Sequence, residues 1–168
     1  PPRVWSAEQK LDLDIIESGV AVDDANANAQ NRMLIITGKP GAGKTEVVCG
    51  AATAAAAKGE RVLIACPIGA LIDVYRQRLP PNENIVIETV HSSHGIPFGR
   101  QKDEQWNPPG RLRTFDLIIY DEVSQIADKV WEKMELAFGE LTIGPFVCFV
   151  GHFQQLRPVG DQRCLCVD

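Results

Sequence analysis

"GKPGAGKT", residues 38–45, lies between the apolar run "RMLIITG" (32–38) and the Ala-rich "KTEVVCGAATAAAAKG" (44–59). It matches G-x-x-x-x-G-K-[ST] at every position, after a predicted strand and at the start of a predicted helix. The spacing has a physical reason. Gly38, Gly41 and Gly43 let the backbone pass close around phosphate groups, and the N–H groups of a helix N-terminus favour negative charge. The stretch therefore predicts a nucleotide-binding loop of Gly38, Lys39, Pro40, Gly41, Ala42, Gly43, Lys44, Thr45 and Glu46. Lys44 would reach the terminal phosphates and the Thr45 hydroxyl would ligate Mg²⁺, so ATP and Mg²⁺ are the expected cofactors. The plainer alternative is a Gly-rich turn in any strand–helix unit; the complete motif in its proper context weighs against it.

Outward from this loop, apolar runs alternate with amphipathic ones. "RVLIACP" (61–67), "NIVIETV" (84–90), "FDLIIYDE" (115–122) and "FVCFVG" (146–151) read as further strands. "SAEQKLDLDIIESG" (6–19), "GALIDVYRQRL" (69–79) and "SQIADKVWEKMELAF" (124–138) read as helices. The first has Ser6 and Gln9 at capping-box spacing, an apolar stripe of Leu11, Ile15 and Ile16, and Gly19 as its stop. The last puts Ile126, Val130, Met134 and Phe138 on one face. "DDANANAQN" (23–31) is a polar loop, and "HSSHGIPFGRQKDEQWNPPGRLR" is a long Gly- and Pro-rich connection. Continuous apolar strands alternating with helices predict an α/β fold, a parallel sheet covered by helices on both faces. Ligands of such sheets bind beyond the carboxyl ends of the strands. The Ala51–Ala57 stretch is expected to serve close helix packing.

"LIIYDE" (117–122) supplies the second half of a nucleotide site. Its strand would deliver Asp121 to the metal, usually through water, and Glu122 to orient and deprotonate an attacking water. The alternative is a helix cap followed by a first-turn acid. The predicted catalytic set is Lys44, Asp121, Glu122 and, from the resemblance below, Gln155; Thr45 and Asp121 are the predicted Mg²⁺ ligands.

The chain has 168 residues, 45% of them hydrophobic, which suits one domain with a substantial core. We divide it into an N-terminal helix and polar loop (1–31), a P-loop core (32–160) and a tail (161–168). No apolar run approaches the roughly 18 residues of a membrane span, so no membrane partner is expected. The acidic, polar N-terminus does not read as a signal peptide. Five cysteines without framework spacing argue against a disulfide scaffold, and "CLC" at 164–166 is too little for zinc. An intracellular setting is expected: nucleus, mitochondrion, or the cytoplasm of a prokaryote or virus-infected cell. The opening Pro-Pro, without Met, is expected of a processed chain or a piece of a longer one. A net charge of −5 argues against coating nucleic acid by bulk attraction. Positive charge is local instead, with four Lys/Arg against two acids in "GRQKDEQWNPPGRLR" (99–113).

With these motifs placed, the chain resembles the first RecA-like, P-loop NTPase domain of superfamily 1 DNA helicases, most closely the 5′-to-3′ PIF-type and RecD-like group. The resemblance runs from about residue 6 to residue 159. "SAEQ" resembles the adenine-recognition segment, with Gln9 in the reading position. "ACPIGAL" (65–71) resembles the segment that touches single-stranded DNA after the second strand, which implies contacts from Pro67 and Gly69. "TVHSSHGI" (89–96) resembles "T-x-H-S-x-x-G-I" and implies DNA contacts from Thr89, His91 and Ser92. "GHFQQLRPV" (151–159) resembles "G-D-x-x-Q-L-P-P-V", in which the residue matching Gln155 senses the γ-phosphate. The chain departs from the pattern at His152 (usually an acid), Arg157 (usually Pro) and Ala70 (often Lys).

The resemblance implies an ATP-hydrolysing motor that translocates on single-stranded DNA only with a second RecA-like domain. That domain is absent from these residues and is expected in the parent chain, so the isolated chain should bind ATP and hydrolyse it poorly. A degenerate nucleotide-binding or protein-interaction module is the alternative, and a stand-alone phosphotransferase is a third. Trp106 is expected to pack over the long connection rather than stack on a base, and Trp5 and Trp131 to be core or interface residues.

Overall fold

In the computed structural model, residues 3–20, 33–39, 41, 43–97, 106–140 and 145–152 are described. Among them are the strands β1 (Met33–Thr37), β2 (Val62–Cys66), β3 (Ile85–Thr89), β4 (Leu117–Tyr120) and β5 (Phe146–Gly151). All pair in parallel, in the order β1-β5-β4-β2-β3. The helices are α1 (Ala7–Val20), α2 (Lys44–Ala57), α3 (Gly69–Arg78), α4 (Val90–His94) and α5 (Asp128–Glu140). This is the α/β architecture, a parallel sheet with helices on both faces, expected of the alternating pattern.

Strand alternation sorts the core into two layers. Val62, Ile64, Leu117, Ile119, Cys148 and Val150 face α1, α2 and α3. Leu63, Ala65, Ile118, Tyr120, Val147 and Phe149 face α4 and α5. The inner strands β2, β4 and β5 are buried along their whole length, whereas the edge strands β1 and β3 are partly exposed. That is why the inner strands read as unbroken apolar runs. Ala51, Ala52, Ala55 and Ala56 are buried, and their small side chains bring α2 close onto the sheet.

Three expectations need correction. The buried face of α1 is not the Leu11, Ile15 and Ile16 stripe: Leu11 is 58% exposed and Ile15 38%, while Ile16 is 3% exposed and Leu13 packs beside it. A single helix over 124–138 does not form. A 3₁₀ turn over Val123–Gln125 comes first, and α5 begins at Asp128. The break follows from burial of Val123, which turns the chain inward straight after β4 before α5 can start. Finally, Val90 ends β3 by starting α4, so the long connection opens with a helix, and it closes with a 3₁₀ turn at Gly110–Thr114.

Candidate active site

The parallel sheet aligns every carboxyl end on one edge. Register pairs Thr37 with Gly151 and Tyr120 with Phe149, so β5 brings Gly151 and His152 between the loop after β1 and the acids after β4. In that first loop Gly41 and Gly43 adopt φ of 81° and 84°, the left-handed region open to glycine. Lys44 starts α2, and its Nζ donates to the carbonyls of Gly38 (2.6 Å) and Lys39 (2.9 Å). Thr45 is half-buried in the first turn of α2. At the end of β5, a Cβ on Gly151 would come within 2.9 Å of Val123 Cγ2, so glycine lets that strand end lie against the turn after Glu122.

Asp121 is 5% exposed. Its Oδ1 accepts the Glu122 N–H at 2.8 Å, and its Oδ2 accepts the phenolic O–H of Tyr75 from α3. Burial raises its carboxyl above the usual range, opposed by those two hydrogen bonds and by the charge of Lys44. Burial first, then the Asp121 charge, holds the Tyr75 phenol far above its usual range, so it remains a donor. Glu122 adopts φ 49° and ψ 47°, the one non-glycine residue at positive φ among those described. Such backbone outliers concentrate at functional sites.

Gln9 forms the expected capping box: its Oε1 accepts the Ser6 N–H at 3.0 Å, and its own N–H donates to Ser6 Oγ at 3.1 Å. Its Nε2 also donates to the Gly43 carbonyl at 3.3 Å, which joins the start of α1 to the phosphate loop. Glu46 is held by Arg3 and Arg78 rather than aimed at the loop. Pro40, Ala42 and Gln155 lie outside the described residues, as do Gln154 and Arg157.

The segments after β2 and β3 sit on the same edge, farther along the sheet. Pro67 precedes α3, and Gly69 is its first residue. The Thr89 hydroxyl accepts the Ser92 N–H at 3.1 Å and so caps α4. His91 is half-buried and Ser92 exposed; burial, then the nearby Lys133 charge, lowers the His91 ring's affinity for a proton. Trp106 is packed as expected, with Nε1 donating to the His94 carbonyl at 3.0 Å. Arg111 pairs with Glu88 at 2.9 Å.

Reading by motif missed two buried residues that meet the end of β4. One is Tyr75, which is 0% exposed. The other is His94, whose Nε2 lies 2.7 Å from the Tyr120 hydroxyl and whose Nδ1 lies 2.8 Å from Ser93 Oγ. Tyr75 gave no signal, since no spacing rule links a mid-helix tyrosine to a distant aspartate. His94 lies inside "TVHSSHGI", whose pattern assigns no role to its position.

A glycine loop and a lysine at a helix start after β1, and a buried aspartate after β4, share one edge of the parallel sheet with β5 between them, and a family comparison matches residues 21–166 to the AAA domain. The chain belongs to the AAA domain family. It is thus an AAA-type P-loop ATPase domain. No curated protein matches it. Among solved structures it is similar to domain III of the Thermotoga maritima replication initiation protein DnaA, at 14% identity and a TM-score of 0.49. That similarity covers 89% of this chain and 53% of the other, so the AAA domain spans about half the length of the solved chain.

The donors of this AAA domain fit magnesium. Asp121 and Thr45 offer hard oxygen atoms, and magnesium is usually held by one or two carboxylates with phosphates and waters rather than by an all-protein cage. Among the described residues no group of three or more His, Cys, Asp or Glu side chains converges as such a cage.

Proposed function

We propose that this AAA domain is the ATP-hydrolysing motor of a superfamily 1 helicase of the PIF-type and RecD-like group. It works on single-stranded DNA together with a second RecA-like domain, in an intracellular setting. One observation carries the reading: the strand order separates two groups of residues along one edge. β1, β5 and β4 carry the phosphate loop and the acids, and β2 and β3 carry Pro67, Gly69, Thr89, His91 and Ser92. α3 and β4 join the two groups.

In this reading the phosphate loop and Lys44 bind the triphosphate, Thr45 and Asp121 hold Mg²⁺, and Gln9 contacts the base. Bound magnesium would supply charge neutralisation on the phosphate oxygens. Glu122 takes the proton of the attacking water, and Gln155 reports the state of the γ-phosphate.

Titration of labelled ATP into the domain and into Lys44→Ala tests the assignment. Loss of a charge-assisted contact should weaken binding by roughly tenfold or more. Equal affinity would sink the nucleotide reading and favour an interaction module. Strand binding is tested with oligothymidylate: log affinity should fall linearly with log salt, and no binding at low salt would remove those contacts from the reading.

A further inference from the structure

We propose that Tyr75 is the positioning residue of Asp121, an outer-shell partner that holds the carboxylate in the direction magnesium requires. The inference rests on the nucleotide reading above and adds a residue that no motif assigns.

Asp121 receives a donor on each oxygen, and the two donors differ in kind. The Glu122 N–H comes from the next residue along the chain and moves with it. The Tyr75 hydroxyl comes from α3, a separate element. Tyr75 is fully buried in the layer formed by α1, α2, α3 and the sheet, so its ring has little freedom. A ring locked by packing and reaching across to a carboxylate fixes that carboxylate's rotamer relative to the sheet. An ionised carboxylate has about four acceptor positions. Two are used here, which leaves others for the water shell of a divalent cation. Tyr75 touches neither substrate nor metal in this arrangement and acts through Asp121. Its helix begins at Gly69, so the residue that aims Asp121 is carried by the same helix as a predicted strand contact.

The test is Tyr75→Phe in the full chain, which removes one oxygen and keeps the ring. A thermal melt checks the fold. Two affinities are then measured with a fluorescent ATP analogue: one in EDTA, which reads the loop and Lys44, and one across a Mg²⁺ titration. Mn²⁺ bound with nucleotide is counted independently by electron paramagnetic resonance. Outer-shell substitutions typically cost about 10- to 100-fold in metal affinity. The expected result is a shift of that size in half-saturating Mg²⁺ and in Mn²⁺ affinity, with the EDTA value unchanged.

An unchanged metal dependence, whatever happens to the melt, overturns the proposal and reduces Tyr75 to packing. A double-mutant cycle with Asp121→Asn decides the same point from the other side. Tyr75→Phe should add nothing once Asp121 is replaced, and full additivity overturns the proposal. A wild-type chain that binds no analogue at all sinks the nucleotide reading and this inference with it. Wild-type binding with unaltered metal dependence in Tyr75→Phe sinks the inference alone.

Discussion

Tyr120 and Asp121 are neighbours at the end of β4 and face opposite ways. On one face the Asp121 carboxylate meets a tyrosine from α3. On the other the Tyr120 hydroxyl meets His94 of α4, which is backed by Ser93 and, through its carbonyl, by Trp106. Each face joins the strand to a helix through a buried phenol. One contact is to a carboxylate and the other is between neutral groups. Burial pushes the His94 ring down to about 4, so it is uncharged at neutral pH. Tyr120 also stacks on Phe149 of β5, with ring centroids 5.4 Å apart. The neutral side therefore reads as packing with satisfied hydrogen bonds, and the other side as a buried carboxylate held by two donors. A buried charge is costly unless hydrogen-bonded, and the two donors on Asp121 offset part of that cost.

The largest effect should come from the neutral side. His94→Ala removes a fully buried ring and its hydrogen bond with the Tyr120 hydroxyl. It should destabilise the fold by about 3 kcal/mol in urea titration. A loss below about 1 kcal/mol would show that the His94–Tyr120 contact contributes little to the fold.

Acid should act on the two sides with opposite sign. The folded His94 ring titrates near 4, and an unfolded one near 6.5. Between those values the unfolded chain holds more protons, so stability present above about 6.5 is lost as pH falls toward 4. The full contribution is on the order of 3 kcal/mol. Asp121 is raised, so its folded form takes up a proton first, and its own contribution grows as pH falls through its folded value. Urea midpoints at pH 7 and pH 5 should fall in the wild type. In His94→Gln, which cannot titrate, that loss should shrink or reverse.

The smallest effect belongs to Glu122. Its left-handed backbone is strained for a side chain with a Cβ. Glu122→Gly should leave the melting temperature unchanged or raise stability by up to about 1 kcal/mol, while ATP turnover falls. A loss of stability instead would show that the carboxylate anchors the turn and would move Glu122 from chemistry to structure.

Much of this was legible beforehand. The glycine spacing of 38–45, the acids at the end of "LIIYDE" and the alternation of apolar strands led directly to one edge of a parallel sheet. The buried face of α1 departs from its apolar stripe because Trp5 and Leu13 set its docking, with Trp5 packed against Gly50, and local periodicity does not register that contact. The break before α5 was missed because the pattern at 124–138 is genuinely helical in period. It is burial of Val123 after the Glu122 turn that overrides it.

The sequence by itself determined the chemistry at the loop and the class of fold. Those depend on residues close together in the chain, where spacing is geometry. Only the tertiary structure decided that β5 lies between β1 and β4, and that Tyr75 and His94 reach the end of β4. Such contacts join residues 46 and 26 positions apart. They are set by strand order and helix docking, which local pattern does not encode.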